Sequence, residues 1–460
     1  VSRSNAGFLA FGLVALFVLG TAIRLNNAFA YPVNLGFDAP ENWRYIHGLM
    51  HSWKMPAPDS DWSTAHPPFF YYASAVIARL GGSHEASTAA IAIRIVGSAL
   101  GLLAAGLCAW LVHRVAPASR VRSALAAGLV LLLPVHLYMS AMLNEEVWAS
   151  FLVTLVVVGC ALELLREEPT RGGQAWARAL ALGGIAGLAL LTKLSGLLVI
   201  AAAAGAFALA GWKRGQKVAA LRFTALLVGS ALLVGGWFYA RNWIEWGYLY
   251  PQNLYVHEVM FSMPPGERGV ADYLVIPAST FLDPQLVDED LLHSVWGSAY
   301  ATLWFDGHRH FLARESQSVT LAGTFILLLA LLPTAAFFVG MARGLRRALR
   351  NPVGPDTPLL LLSGLTLVGF VAFTAQNPWF AAVKGSYLLG MLAPFSFYAS
   401  EVLYDWTRGG GLRAKGVWLG LALLAVAVVV VFTYGPVYWN WSGRGIEWIR
   451  IPNPTLPSTE

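Results

Sequence analysis

The sequence predicts an all-α polytopic membrane protein, and three observations carry that prediction. Hydrophobic residues fill 57% of the 460 positions and charged residues only 12%, about half the charged share of an ordinary soluble domain. The apolar residues come in blocks of about twenty, the length a helix needs to cross a hydrocarbon core of roughly 30 Å. The basic residues gather between alternate blocks instead of scattering along the chain, as they do where loops alternate between two faces of a membrane.

The blocks read as spans are 8–24, 90–112, 121–139, 147–165, 177–192, 194–211, 219–239, 318–341, 357–375, 385–403 and 416–435, about eleven transmembrane helices. They are helices because backbone in lipid must satisfy its own hydrogen bonds. The stretch 68–80, PFFYYASAVIARL, is apolar but short, and charge decides how it is read. Basic loops hold Arg114, Arg120 and Arg122; Arg166, Arg171 and Arg178; Lys213, Arg214, Lys217 and Arg222; Arg343, Arg346, Arg347 and Arg350; and Arg408, Arg413 and Lys415. With Arg3, the positive-inside rule assigns all of them to the cytoplasm. Only one crossing then fits between residue 25 and Arg114, so 68–80 is expected to be an interfacial or re-entrant helix. The alternative is a short span paired with 90–112.

The expected organisation is a first transmembrane helix at 1–24, an extracytoplasmic loop with interfacial helices at 25–89, a helical block at 90–240, a second large outer loop at 241–317, spans at 318–435 and an outer tail at 436–460. The first helix, with Arg3 and an Ala28-Phe29-Ala30 site, resembles a signal peptide, but its length and the spans that follow favour an uncleaved anchor. The tail, with Trp439, Trp441 and Trp448, is short for a folded domain. Cys108 and Cys160 are isolated within spans and report nothing about redox compartment. The net charge of +6 combines a basic cytoplasmic rim with an acidic outer face, which excludes a nucleic-acid footprint. No repeat is visible, no span is broken by paired Gly and Pro, and intramembrane charges are few: Arg94, and Glu145-Glu146 at a helix mouth. Those features disfavour a conduction pathway or a transporter.

The chemistry is expected in the outer loops. In GFDAPENWRYIHGLM, residues 36–50, Asp38 and Glu41 are three apart and on a helix would share a face with Tyr45. Carboxylates beside an aromatic ring suit a base that deprotonates a hydroxyl while a sugar stacks; the alternative is a solvated helix N-capped by Asp38. His66 precedes Pro67-Pro68, which open the short apolar helix and pin the loop to the membrane surface. In SVWGSAYATLWFDGHRHF, residues 294–311, Trp296, Tyr300, Trp304 and Phe305 offer flat surfaces to a sugar or to the membrane interface. Asp306, His308, Arg309 and His310 beside them would make a lid. Arg241-Asn242 stands where segment 219–239 emerges and is a further phosphate candidate.

The ordered series GFDAPENWRYIHGLM with HPPFFYY, AIRIVGSALGLLAAG, MLNEEVWASFLVTL, LLTKLSGLL, YARNWIEWGYLYPQN and VKGSYLLGMLAPFSFY resembles the GT-C membrane glycosyltransferases, particularly the branch of protein O-mannosyltransferases and lipid A aminoarabinose transferases. The resemblance implies a GT-C-like helical bundle that moves a sugar, with inversion, from a polyprenyl-phosphate donor to a glycan, lipid or protein acceptor outside the cytoplasm. It implies Asp38 as catalytic base, Glu145 as a second acid with Asn144 and Glu146 beside it, and Lys193 and Lys384 as contacts to the donor phosphate, with Tyr387 in the same motif. Glu41 is the auxiliary acid, Arg241 a further phosphate ligand, and Tyr45, His66, Trp296 and Trp304 complete the expected substrate surface. Relatives often carry a second acid or a nearby histidine after the first acid, whereas here Asp38 is followed by Ala39-Pro40 and position 42 is Asn. His47 and His51 lack the open setting of a metal site, so no cofactor is expected. The rival readings are a lipid-linked-sugar flippase without chemistry and an assembly subunit. An Ala-, Gly- and Leu-rich composition fits a bacterial plasma membrane.

Overall fold

The computed structural model describes residues 3–33, 35–81, 85–166, 173–251, 268–286, 288–312 and 316–441, with backbone alone for 3–10 and 436–441. Arg171, Trp448 and the rest of the tail beyond 441 lie outside the described residues, and the Trp439 and Trp441 side chains are likewise not described. Among the described residues the chain is all-helical, with α1 (Arg3–Ala30), α2 (Ala39–Ser52), α3 (Phe69–Leu80), α4 (Ala86–Val115), α5 (Arg120–Leu131), α6 (Pro134–Ala141), α7 (Glu146–Leu164), α8 (Gly173–Thr192), α9 (Gly196–Lys213) and α10 (Lys217–Trp246) in its first half. The second half holds α11 (Ser279–Leu282), α12 (Glu289–His293), α13 (Val295–Trp304), α14 (Gln317–Arg350), α15 (Asp356–Gln376), α16 (Leu392–Thr407) and α17 (Leu412–Trp441). Ten helices are long and apolar enough to cross a membrane, eleven if α5 and α6 count as one bent span. Each of the eleven segments read from the sequence falls on one of them, and the protein is an integral membrane protein.

The twelve residues of α3 reach about 18 Å at 1.5 Å per residue, too little to cross. This helix packs on α2 and α4, burying Phe70, Tyr71, Ala75 and Ala78.

Two spans depart from the unbroken helices expected. The first bends by 48° between α5 and α6, at Pro134, which has no N–H to offer the preceding turn. The bend also leaves Leu131 O without a helical donor; a carbonyl freed in a membrane interior needs a new one, and Arg24 supplies it. Its guanidinium donates to Leu131 O at 3.1 Å, to Gly20 O at 3.2 Å and to His136 Nδ1 at 2.9 Å. Arginine has only donors, so His136 accepts through Nδ1 and carries its proton on Nε2. The second departure is a π-turn at Leu232–Gly236 within α10. There Gly235 approaches so closely that a Cβ would lie 2.5 Å from Gly187 O on α8, a small-residue contact of the kind that joins membrane helices.

Arg94 answers a similar need at the end of α1. Fully buried, it donates to Tyr31 O at 2.8 Å and Pro32 O at 2.9 Å just past the helix end, and to Ala28 O of its last turn at 3.4 Å. Arg268 does the same for α15, donating to Thr374 O, Asn377 O and Trp379 O at 2.9 to 3.3 Å.

The ends of the bundle differ in charge. At the end carrying the basic loops, Arg347 pairs with Asp356 and Glu401, each at 2.8 Å, Arg122 with Glu401 at 3.2 Å, and Arg178 with Glu163 at 2.8 Å. The opposite end gathers the turn before α2, the starts of α3 and α7, the α8–α9 turn and residues 380–391.

Candidate active site

Asp38 occupies the N-cap position of α2 without capping it. Its backbone is left-handed, φ 54° and ψ 20°, a conformation a non-glycine residue adopts at a cost. In that conformation its carboxylate accepts a hydrogen bond from Trp62 Nε1 at 3.0 Å. The expected pair on one helix face is therefore corrected: Asp38 precedes the helix, while Glu41 lies in its first turn and bonds Arg44 at 3.2 Å. Arg44 also holds Asp61. Burial raises the Glu41 carboxyl above its ordinary value. Tyr45 is 3% exposed, stacked on Tyr71 at 4.1 Å, so it braces α2 against α3 and offers no open face.

The ring of Phe37, one residue before Asp38, carries the Lys384 ammonium at 4.2 Å from its centroid. Lys384 also lies 5.9 Å from the Tyr387 ring. On the other side, Lys193 Nζ is 4.7 Å from the same Tyr387 ring. Lys193 comes from the tight turn between α8 and α9, hydrogen-bonds Glu146, and lies 3.7 Å from Glu145. Burial pulls the Lys193 ammonium down, but the two carboxylates outweigh it and leave the amine above its ordinary value. Ser386 Oγ donates to Glu146 at 3.2 Å, and Asn144 Oδ1 accepts the Glu146 N–H at 3.0 Å. Among the described residues no carboxylate stands within ion-pair distance of Lys384, although the charges of Asp38, Glu146 and Glu145 all act on it.

Residues 384–391 are brought in by close backbone packing. Gly385 N–H donates to Thr302 Oγ1 at 2.7 Å, and a Cβ at Gly385 would lie 2.5 Å from Leu303 N. Only glycine allows that approach. The chain then runs as a 3-10 helix over Gly385–Met391 before α16, and this tighter winding turns Ser386 and Tyr387 toward Glu146 and Lys193.

His66 joins the edge of this cluster through a chain of hydrogen bonds. Asn42 Nδ2 donates to Leu143 O at 2.8 Å, so its Oδ1 accepts from Tyr71 at 2.8 Å, and His66 Nδ1 then donates to the Tyr71 oxygen at 2.9 Å. Leu143 immediately precedes Asn144 and Glu145, so the chain ties the 53–68 loop to the mouth of α7. Burial holds the Tyr71 phenol well above its ordinary value, with Glu145 adding to the effect.

Other expected residues go elsewhere. Arg241 bonds Glu245 on its own helix at 2.8 Å and reaches Met55 Sδ at 3.0 Å, at the rim beside the 53–68 loop and apart from the two lysines. Trp296 packs on Phe370 of α15 at 5.8 Å. Trp304 is 2% exposed and packs against Phe395 of α16; its ring is core, with no face for a sugar. Trp62, Ser386 and Phe37 were not singled out from the sequence. Phe37 carried a signal, as the aromatic neighbour of the candidate base.

The turn after α13 contributes instead through its histidines. Their rings stand 5.2 Å (His308) and 4.4 Å (His310) from Phe37. Asp306 fastens this turn by accepting backbone N–H groups of His310, Phe311 and Leu312 at 3.3, 2.6 and 2.7 Å. Arg309 within it is left-handed, φ 53°.

Three carboxylates, two ammoniums and two aromatic rings thus meet at one end of a membrane-spanning bundle. No protein-family model matches the sequence, and no curated protein does. Solved structures do. The oligosaccharyltransferase AglB from Archaeoglobus fulgidus, solved with an inhibitory peptide and a dolichol-phosphate, aligns with a TM-score of 0.55 at 14% identity over 95% of this chain and 56% of that one. ArnT from Cupriavidus metallidurans bound to undecaprenyl phosphate aligns with a TM-score of 0.50 at 16% identity over 93% of this chain and 77% of that one. The fold is that of the GT-C membrane glycosyltransferases. The chain spans about half the length of the archaeal enzymes it matches. One of those is solved with Zn and sulfate. In the present chain, no group of three or more His, Cys, Asp or Glu among the described residues has the geometry to hold a metal ion. His51 Nδ1 instead bonds His47 O at 2.8 Å on its own helix.

Proposed function

We propose that this GT-C chain transfers a sugar from a polyprenyl phosphate to an acceptor on the non-cytoplasmic side of the membrane. The observation that carries the reading is Lys384, a largely buried ammonium held on two aromatic faces with no ion-pair partner among the described residues, beside the candidate base Asp38. A buried cation without a counter-ion is costly, and the anionic phosphodiester of a polyprenyl-phosphate sugar lying against it relieves that cost. The basic loops at the opposite end of the bundle support the sidedness.

In this reading Asp38, aimed by Trp62, takes the proton of an acceptor hydroxyl or amine as its heteroatom bonds the anomeric carbon. The bond from that carbon to the phosphate oxygen breaks, and the electron pair leaves with the polyprenyl phosphate. Lys384 stabilises the charge gathering on that oxygen, worth most in a dry, preorganised setting. Lys193, already engaged by Glu146, holds the acids of the α7 mouth in place and adds its field. Attack opposite the leaving group inverts the anomeric centre.

The test is purified protein in nanodiscs with a panel of polyprenyl-phosphate sugars and release of polyprenyl phosphate as readout. Turnover with at least one donor, abolished in Asp38→Asn while bare polyprenyl phosphate still binds, is the expected result. Movement of intact lipid-linked sugar across vesicles without release of phosphate would replace the enzyme by a flippase.

A further inference from the structure

The turn Asp306–Leu312 is built more tightly than a lid requires. Asp306 clasps three backbone N–H groups, Leu286 N–H donates to Gly307 O at 2.9 Å, and Arg309 reaches Thr320 Oγ1 at 2.9 Å. This construction presents His308 edge-on to Phe37, at 87° between ring planes, on the ring that also seats Lys384. Both His308 ring nitrogens are buried, although the residue as a whole is partly exposed, and at least one of them has no hydrogen-bond partner among the described residues. The Phe380 carbonyl lies close enough to act on one of them. Buried polar groups left unpaired are rare, and an imidazole offers one donor and one acceptor.

We propose that His308 is a sugar-recognition residue that hydrogen-bonds a hydroxyl of the donor's sugar, rests on the function proposed above, and acts on the sugar and not on the phosphate. Burial, His310 and Lys384 hold the imidazole well below its ordinary value, so it stays neutral beside the lysine and does not add a second cation for the phosphate. A hydroxyl both donates and accepts, so it satisfies the open nitrogen in either tautomer. The position fits, because the Phe37 ring against which His308 stands belongs to the residue immediately before the candidate base Asp38.

The experiment compares binding of bare undecaprenyl phosphate with a panel of undecaprenyl-phosphate hexoses and pentoses to the full-length protein in nanodiscs. His308→Phe keeps a ring against Phe37 and removes both nitrogens; His308→Gln restores an acceptor and a donor. The expected result is that the wild type holds at least one sugar-bearing lipid more tightly than the bare lipid. His308→Phe should lose about tenfold on that lipid alone, the scale of one hydrogen bond, and His308→Gln should recover part of it. Equal weakening of bare and sugar-bearing lipid in His308→Phe would make the residue a phosphate contact or a structural one and overturn the proposal. So would a wild type that never distinguishes the two lipids, or a His308→Phe variant that keeps the distinction. Failure of the wild type to bind even the bare lipid would instead refute the function on which the inference rests.

Discussion

The Lys384 ammonium stands 4.2 Å above the ring of Phe37, the residue immediately before Asp38. Candidate cation and candidate base are therefore set by one short piece of backbone, although they are far apart in the sequence. Lys193, by contrast, is bonded to Glu146. Lys384→Met should weaken binding of undecaprenyl phosphate by about ten- to a hundredfold, the range of a charge-assisted hydrogen bond. Lys193→Met should weaken it less and lower the melting temperature more, because it strands the Glu146 carboxylate in a buried position. Fluorescence titration and thermal unfolding of both variants in one detergent decide the order.

The left-handed backbone of Asp38 makes a second prediction. Glycine takes that conformation without penalty. Asp38→Gly should match or exceed the wild type in melting temperature while losing turnover entirely. A large fall in stability would mean that the carboxylate is there to hold Trp62 and the loop, not to act on a substrate.

The Lys193 site also makes stability depend on pH at the alkaline end. Its folded-state amine titrates above the ordinary value of 10.5, so the pairing contributes fully below about 10.5 and is lost as pH climbs through the higher folded value. Melting temperatures measured from pH 7 to pH 12 should fall more steeply above 10.5 in the wild type than in Lys193→Met, once the general alkaline loss is subtracted.

Trp304 separates a packing role from a binding role. Buried to 2% exposure among α13 and α16, it should cost about 3 to 5 kcal/mol of stability when cut to alanine. Trp304→Phe should cost far less and leave the affinity for sugar-bearing lipid unchanged. A selective loss of affinity in Trp304→Phe would restore the sugar-stacking role expected from the sequence.

Much of the bundle was legible because lipid imposes length and apolarity on every span, and alternating Lys and Arg reported which helix ends lie together. Lys193, Glu145, Glu146 and Lys384 could be brought to one end by that reasoning alone. Backbone detail could not. A lone Pro134 does not reveal that its helix will bend and that Arg24 will take up the freed carbonyl, since proline within α14, at 333, leaves that helix continuous. Nor does an Asp-Ala-Pro sequence show that Asp38 turns left-handed and faces Trp62 instead of its own helix. The aromatic residues misled for a related reason: Trp296 and Trp304 sit in an outer stretch by sequence, yet a short helix folds them inward, and the histidines of the turn take the position beside Phe37.

The grip of Arg268 on the end of α15 has a mechanical side. One planar group binding a carbonyl of the last helical turn and two just beyond it resists both sliding and twisting, which a lysine at the same position could not do. The segment around Arg268 is thereby riveted to α15, so any opening of the bundle must hinge somewhere other than at this joint.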